Sequence, residues 1–325
     1  MLNRRFCVAP MMDCTDRFAR YLLRLISRRA LLYTEMVPAA AIAHGKAPHF
    51  LPFDAAEHPV AVQFGGSDPR ELRQCARWAE RYGYDEINLN VGCPSDRVQA
   101  GRFGAGLMAE PLQVARCVEA MREACDLPVT VKCRIGIDDQ DTETELPAFI
   151  DRVHAAGCRT FIVHARKAWL QGLNPRQNRD IPPLDYARVH QLKRQFPDLE
   201  IIINGGLRDL ATAREQLEHV DGVMLGRAAY HDPWILAAVD SQFHGDPPSV
   251  RSRHDVLAAY LPFVERELAR GIALSAMSRH LLGLFQGVPG ARRFRRHISE
   301  NAHRPGAGPE VLEAAAAMLD IPAAA

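Results

Sequence analysis

The sequence predicts an α/β protein that is built as a (β/α)8 TIM barrel and followed by a small C-terminal helical bundle domain. Eight short apolar runs alternate with helix-like segments over about the first 240 residues, a pattern that indicates parallel strands with helical crossovers. A polar or turn-forming residue follows each run. Beyond a break rich in proline and glycine at 243–249, the pattern is only helical. We therefore expect a barrel domain at 1–242 and a helical domain at 243–325.

Composition limits the class of protein before any motif is considered. The chain has 325 residues and a formal net charge of +1, which gives no bulk attraction to nucleic acid. No apolar run reaches the roughly 18 residues of a membrane span, so no membrane association and a cytoplasmic location are expected. The eight cysteines include no C-x-x-C pair, and none has a histidine at zinc-like spacing. The cysteines therefore predict reduced thiols and no metal. A monomer is expected as well, although no pattern in the sequence reports the oligomeric state.

Each predicted strand ends at a residue that is polar, charged or favourable to a turn. In chain order the strands are predicted over 6–9, 31–36, 60–64, 84–89, 128–133, 160–163, 200–203 and 222–225. Because the carboxyl ends of barrel strands share one rim, the residues that follow them are expected to form one site. They are Met12, Glu35, Gln63, Asn90, Cys93, Lys132, His164, Asn204 and Arg227.

Helix start and stop signals separate the strands. Thr15 or Asp16 is a candidate cap for the first helix. Asp68 and Pro69 begin the helix after the third strand, and Gly83 ends it. Further helices are predicted over 111–124, before Gly157, over 185–195 and between the last two strands. Beyond the break, helices at 256–268, 278–285, 291–301 and 309–319 indicate the bundle.

Cys93 is the candidate catalytic residue. It lies in the segment NLNVGCP (88–94), where Gly92 and Pro94 end the fourth strand and a glycine-rich stretch follows. The thiol is therefore expected at a strand end beside a mobile loop, a frequent place for catalytic residues in barrel enzymes. The alternative is that Cys93 is a small buried hydrophobic residue, as most free cysteines are.

Two glycine-rich segments after the last two strands predict a phosphate site. Gly205-Gly206 lets backbone N–H groups approach an anion, and Gly226-Arg227 adds amides and a guanidinium. The alternative is that these glycines only make tight turns. A barrel with such a cradle could hold flavin mononucleotide (FMN).

The other strand ends suit a flavin. Gln63 would then read the pyrimidine edge of the flavin, and Lys132 would stand near its N1 side. Cys93 would supply a proton to one carbon of a double bond whose neighbour receives hydride. That role requires a neutral thiol, and no His or Lys adjoins Cys93 in the sequence.

The third helix of the bundle is rich in arginine. Arg292, Arg295 and Arg296 fall near one helical face, and Arg293 lies between them. A charge run of this kind usually marks a solvated face. Because almost no acidic residue neutralises it, it would also suit a phosphate backbone.

Several motifs together resemble the tRNA-dihydrouridine synthase family over nearly the whole chain. They are APMM (9–12), NLNVGCP (88–94), VKCR (131–134), HAR (164–166), NGG (204–206) and GR (226–227). The segments LYTEM (32–36), IGIDD (135–139) and GAR (290–292) resemble the A subfamily. The family often has Asp at the position of Asn88, and we interpret this departure as a subfamily variant.

The resemblance implies that NADPH reduces a bound FMN, which then reduces the C5–C6 bond of D-loop uridines 20 and 20a in tRNA. Cys93 would donate the proton to C5, hydride would pass to C6, and Asn90 would lie near the target base. The implied FMN contacts are Pro10, Met11, Met12, Gln63, Lys132, His164, Asn204, Gly205, Gly206, Gly226 and Arg227. The implied tRNA contacts are Arg176, Arg179, Arg292 and Arg295.

Two other functions remain compatible with the sequence. An FMN barrel acting on a free pyrimidine such as dihydroorotate would also use a cysteine, but it does not explain the arginine-rich helix. A non-catalytic RNA-binding protein on a barrel scaffold would lack flavin or be indifferent to Cys93. Turnover of free pyrimidines, and the colour of the protein, separate these alternatives.

Overall fold

Eight parallel strands close into a barrel in the order β1 to β8, with β1 paired to β8. The protein is described by a computed structural model that covers residues 2–250 and 252–319. The strands are β1 (Phe6–Val8), β2 (Leu31–Pro38), β3 (Val60–Gly65), β4 (Glu86–Val91), β5 (Val129–Arg134), β6 (Thr160–His164), β7 (Glu200–Asn204) and β8 (Gly222–Leu225). The predicted barrel is confirmed.

The predicted strand positions agree with the observed ones within about two residues, the usual uncertainty of element ends. The largest shift is at β4, which begins at Glu86 and not at Tyr84. Gly83 ends the preceding helix with a left-handed φ of 83°. The N–H of Tyr84 then bonds to the carbonyl of Ala79, and its hydroxyl bonds to the carbonyl of Leu51. Tyr84 therefore completes the helix end and does not begin the strand.

Helices connect the strands and continue beyond the barrel. The α-helices are α1 (Arg17–Ile26), α2 (Ala39–Ala41), α3 (Ala47–Phe50), α4 (Pro69–Tyr82), α5 (Asp96–Ala100), α6 (Pro111–Arg122), α7 (Glu145–Ala155), α8 (Gln177–Asp180), α9 (Tyr186–Gln195), α10 (Leu210–Gln216), α11 (Arg227–His231), α12 (Val239–His244), α13 (Arg253–Ala269), α14 (Leu274–Ser278), α15 (Ala291–Asn301) and α16 (Glu310–Ala316). A π-helical turn covers Ile42–Lys46, and 3-10 turns cover Ala55–Glu57, Gly104–Ala109, Pro233–Ala238 and Arg279–Gly283. As predicted, Asp16 caps α1 and Asp68 caps α4.

Helix α13, beyond the barrel, packs against α1. The ring of Phe263 on α13 stacks on Tyr21 with centroids 3.9 Å apart, and Glu267 accepts from Arg17 at 2.5 Å. Helix α12 runs across position 242, where Phe243 packs edge-on against Phe6 at 5.0 Å. Regular structure thus continues beyond the expected boundary at 242, and the division into two domains stays a prediction.

One predicted helix is wrong in its type. The segment 278–285 is not an α-helix, because α14 ends at Ser278 and a 3-10 turn follows over Arg279–Gly283. Asp16 accepts hydrogen bonds from Arg279 at 2.6 Å and pairs with His280 at 3.0 Å. A Cβ atom at Gly283 would lie 2.4 Å from the carbonyl oxygen of His231. These contacts with the barrel select the tighter turn, and sequence periodicity does not report them.

The barrel interior is apolar on one side and polar on the other. The apolar part consists of Cys7, Ala9, Leu31, Tyr33, Ala61, Ile162, Ile202 and Met224. The polar part lies on β3, β4 and β5, where Gln63, Glu86, Asn88 and Thr130 are buried. Buried polar groups are stable only when they are hydrogen-bonded. A hydrogen-bonded network is therefore expected beneath the carboxyl-end rim on this side.

Residues 2–250 and 252–319 contain neither a helix suited to a membrane nor a cluster suited to a metal ion. No helix in these ranges has the length and apolar character that crossing a membrane requires. Nor do three or more His, Cys, Asp or Glu side chains within them come together so that they could hold a metal ion.

Candidate active site

A cavity of about 1490 Å³ opens at the carboxyl ends of the barrel strands. All the predicted site residues line it except Arg176 and Arg292. Glu35, another predicted strand-end residue, accepts the N–H of Asp13 at 2.5 Å and is not among the lining residues, whereas its neighbour Met36 is. The expected convergence on one rim is thus observed for nearly the whole set.

Cys93 lies immediately after β4 and is held through its backbone. The Oδ1 atom of Asn90 accepts the N–H groups of Gly92 at 3.1 Å and of Cys93 at 3.0 Å. The Sγ atom of Cys93 lies 3.5 Å from the Oγ atom of Ser95. The side chain is partly exposed and lines the cavity. The alternative of a fully buried hydrophobic residue does not fit this position.

The glycine-rich stretch after Cys93 is folded against it and is not an open loop. Helix α5 and the 3-10 turn Gly104–Ala109 occupy this stretch, and the N–H of Ala105 donates to the carbonyl of Cys93 at 2.9 Å. Gly104 has a φ of 76°, and a Cβ atom there would lie 2.5 Å from that carbonyl oxygen. Glycine is therefore needed here for close approach to the segment that carries Cys93.

Two cations on β5 face Cys93, although none adjoins it in sequence. Asn90 and Val91 of β4 pair with Lys132 and Cys133 of β5, and a charge on the Cys93 thiol would interact with both Lys132 and Arg134. Burial, with a further contribution from Arg134, lowers the pKa of Lys132 to about 8. Lys132 and Arg134 are thus neighbours of Cys93 in space, although no His or Lys adjoins it in the sequence.

Arg134 was missed as a site residue, although the strand period could have identified it. Lys132 and Arg134 are two residues apart on β5, so both point to the same face. Arg134 is buried and donates to the carbonyls of Gly92, Lys167 and Asn178, each at 2.9 Å. Burial lowers its pKa to about 10, which still leaves it charged at neutral pH. It ties the Cys93 segment to the long loop after β6.

His164 presents an unsatisfied ring nitrogen at the end of β6. Its Nδ1 atom is buried and has no hydrogen-bond partner within the described part of the chain. Burial, followed by the charges of Arg134 and Lys132, holds the pKa of His164 well below its usual value, so the ring is neutral. A buried polar atom without a partner is costly, which points to a partner supplied by a ligand.

The glycines after β7 keep the space beside His164 open. Gly205 and Gly206 have φ values of 110° and 69°, and the hydroxyl of Tyr186 donates to the Gly205 carbonyl at 2.7 Å. A Cβ atom at Gly205 would lie 3.2 Å from the Nε2 atom of His164. The two glycines therefore make a turn that other residues would adopt only with strain, and Gly206 is exposed in it.

The remaining predicted cofactor residues line the same cavity. Lys132 donates to the Oδ1 atom of Asn204 at 3.0 Å. Gly226 precedes the short helix α11, and Arg227 is paired with Asp180 at 2.7 Å. Pro10, Met11 and Met12 follow β1, and Met12 is 55% exposed. Asp180 therefore neutralises part of the charge that was expected to face a phosphate.

These residues fit a flavin phosphate and ring. The Lys132 ammonium, the exposed Gly206 and, in the tautomer protonated at Nδ1, the unsatisfied His164 nitrogen supply donors of the kind that anions require. Gln63 is 1% exposed, donates from Nε2 to Asn88 at 2.7 Å and accepts from Asn90 at 2.8 Å. One hydrogen of its Nε2 atom remains for a ligand.

The four predicted tRNA contacts differ in position. Arg179 is exposed and lines the cavity, whereas Arg176 is exposed outside it. On α15, Arg295 is half-buried, lines the cavity and lies 3.4 Å from Gln286, while Arg292 is exposed. Both α15 residues also border a small depression beside Gly287 and Gly290. Arg166, Arg208 and Arg279 also line the cavity, although none was predicted as a site residue, and Arg279 is paired with Asp16.

Comparison with known proteins identifies relatives that span the whole chain. A family model described as "Dihydrouridine synthase (Dus)" matches residues 7–319. A protein of Vibrio cholerae serotype O1 named tRNA-dihydrouridine(20/20a) synthase is 58% identical over 316 residues, which is 97% of this chain and 96% of the relative. A protein of Escherichia coli strain K12 with the same name is 59% identical over 310 residues, covering 95% of this chain and 90% of the relative.

Solved structures with much lower identity share the barrel. An old yellow enzyme homologue from Zymomonas mobilis superposes with a TM-score of 0.54 at 11% identity, over 75% of this chain and 89% of that one. Morphinone reductase gives a TM-score of 0.52 at 14% identity, over 72% of this chain and 84% of that one. At this identity the likeness concerns the fold alone.

Proposed function

The chain belongs to the dihydrouridine synthase family, and from this premise we propose that it reduces the C5–C6 double bond of D-loop uridines 20 and 20a in tRNA. The observation that carries the proposal is the cavity in which the Cys93 thiol lies with Lys132, His164 and the Gly205-Gly206 turn. The names of the relatives supply the target positions. In this proposal Cys93 would be the acid, and the Gly205-Gly206 turn would cradle an anion at the same rim.

The cofactor of this proposal is FMN, with NADPH as a transient reductant. When bound and reduced, FMN supplies the hydride that C6 of the uracil receives. Its phosphate would be held by His164 and the turn amides, and its ring by Gln63 and Lys132. The other residues of the cofactor wall would be Pro10, Met11, Met12, Asn204, Gly205, Gly206, Gly226 and Arg227.

Cys93 is the acid of the proposed reaction. Its Sγ–H bond breaks as the proton passes to C5, so hydride at C6 and proton at C5 together saturate the double bond. The thiolate that remains lies beside the Lys132 and Arg134 cations, which stabilise the negative charge. Asn90 holds the backbone of Cys93 and lines the same wall, where it would contact the target base.

The exposed arginines would hold the rest of the tRNA. A uridine must leave its base stack to enter the cavity, which requires a firm grip on the surrounding backbone. Arg176, Arg179, Arg292 and Arg295 are placed at or near the cavity mouth, where phosphate contacts could direct the target base inward. In this proposal 1–242 bind FMN and 243–325 bind tRNA. We expect a monomer that works in the cytoplasm, where its substrate is found.

The test is an anaerobic half-reaction. The bound flavin is reduced with NADPH, excess NADPH is removed, and unmodified tRNA or free uridine is added while the visible absorbance of the flavin is followed. Rapid reoxidation by tRNA, with none by uridine, is expected. A response to free pyrimidines but not to tRNA would favour the small-molecule alternative, and a protein that binds no FMN would contradict the cofactor assignment.

A further inference from the structure

A continuous chain of buried hydrogen bonds runs through the barrel interior from its amino-terminal end to Cys93. Arg4 donates to the Oε2 atom of Glu86 at 2.5 Å, and the hydroxyl of Thr130 donates to Oε1 of Glu86 at 2.7 Å. The Nδ2 atom of Asn88 donates to the same hydroxyl at 2.9 Å. Glu86 and Asn88 are fully buried, and Thr130 is 1% exposed. The Asn88–Gln63 and Gln63–Asn90 bonds described above complete the chain.

The direction of every hydrogen bond in this series follows from the Glu86 carboxylate at its beginning. A hydroxyl has one hydrogen, and Thr130 gives it to the carboxylate at 2.7 Å in preference to the Ile87 carbonyl at 3.3 Å. Thr130 is then an acceptor for Asn88, whose nitrogen must face it. The Asn88 oxygen consequently faces Gln63.

The same logic continues to the cavity. Gln63 must place Nε2 toward the Asn88 oxygen and Oε1 toward the Asn90 nitrogen. Asn90 is left with its oxygen toward the Gly92 and Cys93 amides, which are fixed donors. Turning any one amide over would set oxygen against oxygen or nitrogen against nitrogen. The carboxylate at one end of the series and the two backbone amides at the other therefore require the same order of donors and acceptors.

We propose that Thr130 is a positioning residue that acts through Asn88 to hold the side-chain amide of Gln63 in one orientation at the cavity wall, with Nε2 toward Asn88. Thr130 is separated from the cavity by Asn88 and Gln63, so it would not touch a ligand. The inference deepens the proposed function and rests on it. The hydrogen that Nε2 of Gln63 keeps free would serve a ring carbonyl oxygen on the pyrimidine edge of FMN.

Replacing Thr130 by valine tests this relay, by which we mean the series of hydrogen bonds from Thr130 through Asn88 to Gln63. Thr130→Val keeps the shape but removes the acceptor of the Asn88 N–H. The fixed amides at the other end of the series keep Asn88 from turning over. The Asn88 N–H is therefore left without an acceptor, and Asn88 no longer holds Gln63 in place. We expect the dissociation constant for FMN, measured by quenching of flavin fluorescence in the apoprotein, to rise about tenfold or more. The visible spectrum of the bound flavin should shift as well.

Two variants serve as controls. Thr130→Ser keeps the hydroxyl and should restore FMN affinity to within about twofold of the parent protein. Thr160→Val on β6 removes a buried hydroxyl that donates to Glu200 at 2.8 Å, but Thr160 is not bonded to the amides. It should lower thermal stability like Thr130→Val while leaving FMN affinity unchanged. If Thr130→Val does not fold, Thr130→Cys, with its weak acceptor sulfur, takes its place.

The possible outcomes distinguish a failure of the relay from a failure of the proposed function on which it rests. Weak FMN binding in Thr130→Val alone supports the relay. Parent-like binding in Thr130→Val, or equal weakening in Thr160→Val, overturns it while FMN binding by the parent protein stands. A parent protein that does not bind FMN overturns the proposed cofactor, and the relay is rejected with it.

Discussion

Lys132 of β5 donates to the Oδ1 atom of Asn204 of β7 at 3.0 Å and so bridges two strands that do not pair with each other. Asn204 in turn donates from Nδ2 to the carbonyl of Met224 at 2.8 Å. The side chain of Lys132 is thereby held over the barrel mouth, close to both Cys93 and His164. No carboxylate neutralises it among these contacts. It is a cation prepared for an anionic ligand.

Lys132 should impose a specific pH dependence on stability. Its folded pKa of about 8 is below its ordinary value of 10.5, so between these values the unfolded chain binds more protons. The free energy of unfolding of the parent protein should therefore rise with pH from 8 to 10.5, relative to Lys132→Met, by up to roughly 3 kcal/mol. Chemical denaturation of both apoproteins across this range measures the difference.

FMN provides the internal control for this measurement. A bound anion favours the charged ammonium and moves its pKa upward, so the difference between the two proteins should shrink when FMN is saturating. A difference that does not change with pH in the apoproteins would show that Lys132 is not desolvated as the structure indicates.

Cys93→Ala should abolish most turnover without unfolding the protein. Within the described residues the thiol makes one side-chain hydrogen bond, at 3.5 Å to Ser95, and it is partly exposed, so we expect its loss to be tolerated. Loss of a general acid typically costs a factor of roughly 10² to 10⁴ in rate. Reoxidation of the reduced flavin by tRNA, followed in a stopped-flow instrument, measures the effect. Cys14→Ala removes a second partly exposed thiol from the same wall and should retain turnover; parent-like rates in Cys93→Ala would reject the acid assignment.

Gly205→Ala should weaken FMN binding beyond its effect on stability. An alanine at a φ of 110° is strained, and its Cβ atom would press on His164 at 3.2 Å. Gly245→Ala is the matched control, because Gly245 has a φ of 73° and no atom lies within 4 Å of the position that a Cβ atom would take there. Both should lose about 1 kcal/mol of stability, but only Gly205→Ala should raise the dissociation constant for FMN. Equal FMN affinities would place the phosphate elsewhere.

Arg292→Ala combined with Arg295→Ala should weaken tRNA binding and reduce its dependence on salt. Each lost phosphate contact reduces the slope of log affinity against log salt by about 0.7 to 0.9. Binding titrations at several salt concentrations measure this slope. Arg77→Ala with Arg214→Ala, on exposed positions of α4 and α10, makes the same charge change on the outside of the barrel. If both double variants behave alike, α15 is not the docking face.

The sequence by itself determined the barrel, because the periodicity of strands and helices is a local pattern. It also determined most of the candidate site, because the carboxyl ends of all the parallel strands meet at one rim. Gln63, Cys93, Lys132, His164 and Gly205 were all predictable from their places after apolar runs. The N-cap residues also predicted where α1 and α4 begin. Asp16 and Asp68 each accept a hydrogen bond from a backbone N–H group two residues further along the chain, so this signal is local.

Only the tertiary structure decided which of these residues meet. Strand register brings Lys132 beside Asn90 and so places a cation near a thiol that has none in sequence. The pairing of Arg227 with Asp180 and the 3-10 turn at Arg279–Gly283 depend on loops that approach from distant parts of the chain. The relay from Thr130 to Gln63 crosses three strands, and its direction exists only when all its buried members are assembled. Contacts of this kind are long-range, and no local pattern in a sequence encodes them.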